Sequence, residues 1–133
     1  MNNPANFIDY GVYIDQHQSF IITLYGGDLQ HPRVESIVET ADEAPFIQHP
    51  FNNQTREYVR KLCRSIVTRL DHAHNMLIFG PAEAKYELRN ELRSAGTLFV
   101  QAGQKLVTTD SMTEAEALRF SRSHLYAERT GKN

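Results

Sequence analysis

Arg56, Arg60 and Arg64 recur at every fourth position, so on a helix they form one row of guanidinium groups, about one turn apart. Guanidinium forks suit phosphate oxygens, which they grip without reading base sequence. Lys85, Arg89 and Arg93 repeat the spacing, and Glu83, Glu87 and Glu91 run beside them. Like charges four apart on a helix cost about a few tenths of a kcal/mol per pair. Rows sorted by sign therefore imply that the two flanks of this second helix face different electrostatic settings. Those settings are either other elements of the same protein or an outside polyanion. The six basic residues are the candidate nucleic-acid contacts, with Tyr58 and Tyr86 as the aromatic side chains nearby.

Other residue types offer other chemistry. Asp15 directly follows a strand-like segment, and with Glu83 and Asp110 it would supply the carboxylates of a Mg²⁺- or Mn²⁺-dependent hydrolase if the three converged. The alternative for Asp15 is a turn residue bonded to nearby backbone. His72 and His74 lie on an irregular turn with no third ligand in evident reach, which reads as exposed polar residues. Cys63 is the lone cysteine and falls within an apolar helical stripe, as a buried, inert thiol does. The run Gly80 to Lys85 joins an apolar strand to a helix. It is either a strand-to-helix corner or an anion site at a helix N-terminus, with Pro81 removing one donor. The sequence points to no cofactor.

The elements that must position these residues follow from hydrophobic periodicity. Phe7 to Ile14 and Ser19 to Tyr25 are β-branched and aromatic, and the short connection predicts an antiparallel hairpin. Leu29 to Thr40 predicts a third strand, placed at the sheet edge by Pro32. Ala41 to Asn53, with two prolines, predicts a loop longer than most. Val59, Leu62, Cys63, Ile66, Val67 and Leu70 form one stripe of a helix over Gln54 to Leu70. Met76 to Phe79 predicts a buried parallel strand, followed by a helix over Ala82 to Ser94 that buries Ala84, Leu88 and Leu92. The last strand falls at Thr97 to Val100 or at Leu106 to Thr108, two positions the pattern does not separate. Thr113 and Glu116 predict a capping box that opens a final helix burying Ala115, Leu118 and Leu125. The expectation is one α/β domain spanning 1–133, a mixed sheet of about five strands with helices on its faces.

Bulk properties narrow the function classes. The 133 residues are 41% hydrophobic and 23% charged, which excludes a disordered chain. A formal charge of −2 hides an asymmetry: residues 1–50 hold seven acids and one base, and residues 51–133 hold nine acids and thirteen bases. Such a split marks either a surface for a polyanion or two halves that attract each other. The N-terminus has no secretory pattern and no apolar run approaches the roughly 20 residues of a membrane span. A cytoplasmic protein without membrane partners is expected.

Four segments, in order, resemble the middle domain of eukaryotic and archaeal peptide chain release factors and of Pelota, and small bacterial proteins bearing that domain alone. They are Gly11 to Asp15 with Ser19 to Leu24, Arg56 to Lys61, Met76 to Lys85 (MLIFGPAEAK), and Val107 to Leu118. The resemblance covers roughly residues 9–126. It implies a ribonuclease-H-like fold and a setting in translation. Release factors carry a Gly-Gly-Gln tip before the long helix; here the corresponding residues are Asn52, Asn53 and Gln54. Both glycines are replaced, so Gln54 is assigned no catalytic role. The expected function is a non-catalytic module that associates with the ribosome or RNA. The alternatives are a metal-dependent nuclease or hydrolase using Asp15, Glu83 and Asp110, and a homodimeric protein-binding module.

Overall fold

The structure, a computed structural model, describes residues 8–25, 28–38, 53–70, 73, 75–95 and 104–130. Strand β1 (Ile8–Ile14) and strand β2 (Ser19–Tyr25) pair antiparallel across the Asp15–Gln18 turn, with Ile14 opposite Ser19 and Ile8 opposite Tyr25. β2 also pairs with β3 (Asp28–Ile37), which forms the sheet edge that Pro32 predicted. Helix α1 (Asn53–Arg69) leads to β4 (Asn75–Gly80), and helix α2 (Ala84–Ala95) leads to β5 (Gln104–Thr108). β4 runs parallel to both β1 and β5. The strand order is β3-β2-β1-β4-β5, and α3 (Glu114–Thr130) closes the chain of elements. This is a mixed five-stranded sheet flanked by helices, as a ribonuclease-H-like α/β fold requires.

Side-chain alternation along the strands splits the core in two. Tyr10, Val12 and Ile14 of β1, with Met76 and Ile78 of β4, face Val59, Leu62, Cys63 and Ile66 of α1 and Ala84, Leu88 and Leu92 of α2. Tyr13, Leu77 and Phe79, with Phe20, Ile22 and Leu24 of β2, face Ala117 and Leu125 of α3. A sheet buried on both faces explains why β1, β2 and β4 read as nearly continuous apolar runs. Cys63 is fully buried. Burial, reinforced by Glu87 and Glu91, pushes its thiol well above the usual range and keeps it protonated.

Two glycines fix how closely the elements approach. A Cβ at Gly11 would land on Ser121 Oγ and 2.6 Å from Ser121 Cβ, so α3 crosses β1 at this bare backbone position. That contact sets the rotation of α3. Its inward line is Ala117, Ser121 and Leu125, four residues apart, while Leu118 is half-buried and Ala115 is exposed. The expectation that Ala115 is buried is therefore corrected. Gly80 has φ +148°, and a Cβ there would strike the carbonyl of Ile14. The next turn holds Ala82 at φ 55°, where Lys85 Nζ donates to the Ala82 carbonyl at 2.7 Å.

The remaining expectations resolve locally. β5 lies at the Leu106 run, whereas 97–100 lie outside the described residues, as do 41–52. The Thr113–Glu116 capping box is present in both directions, with Thr113 N donating to Glu116 Oε1 at 2.9 Å and Glu116 N donating to Thr113 Oγ1 at 3.2 Å. Adding a methyl to a closed contact forces neighbours apart. Gly11→Ala is thus expected to cost about 1–3 kcal/mol in urea unfolding. Combined with Ser121→Gly, the loss should be smaller than the sum of the single variants, whereas an additive pair would contradict the close crossing.

Candidate nucleic-acid interface

α1 and α2 lie side by side on one face of the sheet and run in the same direction, since the charged contacts advance together along both. Arg56 Nη1 is 3.7 Å from Glu87, Arg60 Nε is 3.8 Å from Glu87, and Arg64 Nε is 4.0 Å from Glu91. Arg60 also meets Glu57 at 3.4 Å on its own helix. The arginine row of α1 therefore faces the glutamate row of α2. Three guanidinium groups stand against two carboxylates of α2, Glu87 and Glu91, with Glu57 of α1 as the third, and this flank is locally balanced. The two sorted rows of α2 face different settings, and the protein itself supplies one of them.

These pairs are long and wet. The Arg64 side chain is 62% exposed, and Glu87 at 18% is the most enclosed partner. Exposed pairs of this kind contribute about 0–1 kcal/mol each. They lower the positive potential of the row without locking it.

The other flank of α2 differs. Among the described residues, Arg89 and Arg93 are in no ion pair. Tyr86 is 40% exposed, and the Arg89 guanidinium lies 5.5 Å from the centre of its ring. Arg89 Nε is enclosed and has no hydrogen-bond partner among the described residues. Here an exposed ring, an adjacent guanidinium and a second arginine one turn on share a face, which is what phosphate contact with base stacking uses.

Lys85 does not belong to that row. It is 2% exposed, its ammonium group is bound to the Ala82 carbonyl, and it sits 4.7 Å from the Tyr86 ring centre. The spacing from Lys85 to Leu88 and Leu92, three and seven residues, is the signal that it shares the apolar stripe. Its inward direction also removes it from any anion site at the start of α2. Tyr58 is likewise buried, with its hydroxyl donating to the His17 carbonyl at 2.8 Å. Of the loop-tip residues, Asn53 and Gln54 open α1, whereas Asn52, like His72 and His74, lies outside the described residues.

The carboxylate triad does not assemble. Among the described residues, no three His, Cys, Asp or Glu side chains stand where they could hold one metal ion. Asp15 is committed to its turn: Oδ1 accepts from His17 N at 2.7 Å and Gln18 N at 2.9 Å, and Oδ2 accepts from the Tyr13 hydroxyl at 2.6 Å. Tyr13 Oη in turn accepts from Met112 N at 3.2 Å. Burial first, and Asp15 second, hold the Tyr13 phenol well above its usual range, so it remains a donor. Glu83 is exposed, and its carbonyl accepts from Tyr86 N and Glu87 N at the start of α2. Asp110 is exposed beyond β5. Asp15 thus serves the hairpin turn, Glu83 lies in the turn before α2 and Asp110 follows β5, and among the described residues the three are not brought together as a metal site. No described helix is long and apolar enough to cross a membrane.

No protein-family model matches this sequence, and no curated protein does. Among solved structures, the chain is similar to an archaeal translation termination factor, aRF1, at 16% identity and TM-score 0.47, over 94% of this chain. It is also similar to a structure described as an archaeal protein, at 14% identity and TM-score 0.46, over 96% of this chain. The chain spans 40% of the length of each. Likeness at this level does not carry function across.

The geometry separates an exposed ladder from a buried network. Glu87→Gln should change unfolding stability by less than about 1 kcal/mol. Tyr13→Phe should cost about 1–3 kcal/mol, because it strips partners from both the Asp15 carboxylate and the Met112 amide. Equal losses in denaturant titration would contradict this ranking.

Proposed function

We propose that the chain is a non-catalytic module that associates with RNA, in the setting of the ribosome. The reading is carried by one observation: the outer flank of α2 presents Tyr86, Arg89 and Arg93 together, with the two arginines in no ion pair among the described residues. The ordered resemblance of four segments to release-factor middle domains supplies the translational setting. The α1 row takes a secondary part, since a phosphate strand would have to compete with Glu87 and Glu91 for Arg56, Arg60 and Arg64. Phosphate contacts position an RNA without selecting its sequence, so the module would add affinity and orientation rather than codon discrimination.

Co-sedimentation with ribosomes over a salt series tests the reading. The logarithm of the association constant should fall linearly with the logarithm of salt concentration, as counterions are released. Arg89→Glu with Arg93→Glu should abolish it, and Arg89→Ala with Arg93→Ala should flatten the salt slope by about 1.5. Reversal of Arg56, Arg60 and Arg64 should weaken it less. Association that survives the α2 reversals unchanged would overturn the proposal.

A further inference from the structure

On the opposite sheet face, the connection from β5 to α3 leaves an open groove of about 540 Å³, within the range of small-molecule sites. It runs from the connection that follows β5 along the first three turns of α3. Asp110 forms one wall, and Glu116, Arg119, Phe120, Ser123 and His124 line it from α3 at three- and four-residue steps. Asp110 is the one member of the carboxylate triad in this set, and none of the six basic residues of the two rows belongs to it.

The groove is built on a rigid base. The Phe120 ring packs 4.7 Å from Phe79, which packs 5.7 Å from Tyr13, and the His124 ring lies 4.1 Å from Phe120 at an angle of 33°. The Tyr13 hydroxyl holds the connecting loop at Met112 N, and the Thr113–Glu116 bonds hold the first turn of α3. His124 Nδ1 is 3.1 Å from the Phe120 carbonyl. A carbonyl only accepts, so Nδ1 carries a proton in that bond, which fixes the ring's orientation. An aromatic row thus runs from the core to the groove and ends in a histidine ring, backed on one side and set in place.

Charge selects among planar ligands. Asp110 and Glu116 set two carboxylates against the one guanidinium of Arg119 in the lining, and Glu116 already accepts from Thr113 N. A phosphate is disfavoured here, whereas hydroxyl and amine donors are favoured. We propose that this groove binds a nucleoside, taken either free or as an unpaired residue of an RNA strand, with the base stacked against His124 and its donor groups on Asp110 and Ser123. Unpaired bases are commonly held on histidine and other aromatic rings in this way. The site lies across the sheet from the α2 flank and does not depend on it.

Titration of the full chain with adenosine, adenosine 5′-monophosphate and a short oligoadenylate, followed by the amide resonances of Ser123 and His124, tests this. Adenosine should bind saturably, and the monophosphate several-fold more weakly. His124→Ala should lower affinity about 5- to 150-fold, the range that base–aromatic stacking supplies, and Ser123→Arg, at an exposed position, should block the groove. Circular dichroism checks that both variants stay folded. Arg89→Glu with Arg93→Glu should leave adenosine binding unchanged, which keeps this test separate from that of the α2 surface. Binding of the oligonucleotide but not of adenosine would support the site and assign its nucleoside to RNA. Failure of all three probes to bind, or undiminished affinity in His124→Ala, would overturn the proposal.

Discussion

Glu87 lies between Arg56 and Arg60, at 3.7 and 3.8 Å. That position follows from geometry: two helices laid in the same direction on one sheet face must turn a flank of each toward the other. α1 turns its arginines and α2 turns its glutamates. The result decides which cations remain for a partner, because Arg89 and Arg93 are displaced to the far flank by the same helical rotation that brings Glu87 and Glu91 inward. Each pair is weak on its own, being long and hydrated. Their effect is on the pattern of surface charge more than on stability.

The two faces of the sheet therefore do different work. One carries the helix pair, with its balanced seam and its basic outer edge. The other carries α3, brought close enough to β1 that only glycine fits at position 11. This approach packs Phe120 against Phe79 and places His124 at the end of an aromatic row. The Tyr13 hydroxyl ties two strand ends together, since it joins the Asp15 turn to the loop that precedes α3.

Much of the fold is legible in the sequence because its signals are local. Runs of β-branched and aromatic residues mark β1 and β2, the three- and four-residue stripe marks α1, and Thr113 with Glu116 marks the start of α3. Pro32 places β3 at the edge. What the sequence withholds depends on rotation and approach between elements. Ala115 lies in the helix with the right residue type but the wrong phase, which Ser121 against Gly11 sets. Lys85 looks like the first member of a basic row, yet its spacing to Leu88 turns it inward to a backbone carbonyl. Asp15 looks like a metal ligand until the Tyr13 hydroxyl, from two residues earlier on the strand, fills its second oxygen. The groove beside α3 is equally hidden, since Phe120 and His124 gain meaning only when Phe79 arrives from β4.

Selective modification of arginines by phenylglyoxal, read by mass spectrometry with and without bound RNA, asks directly which guanidinium groups meet phosphate. Protection of Arg89 and Arg93, with Arg56, Arg60 and Arg64 modified to nearly the same extent in both states, is the expected result. Protection confined to the α1 row, with Arg89 and Arg93 still fully reactive, would contradict the assignment of the outer flank of α2 as the contact surface.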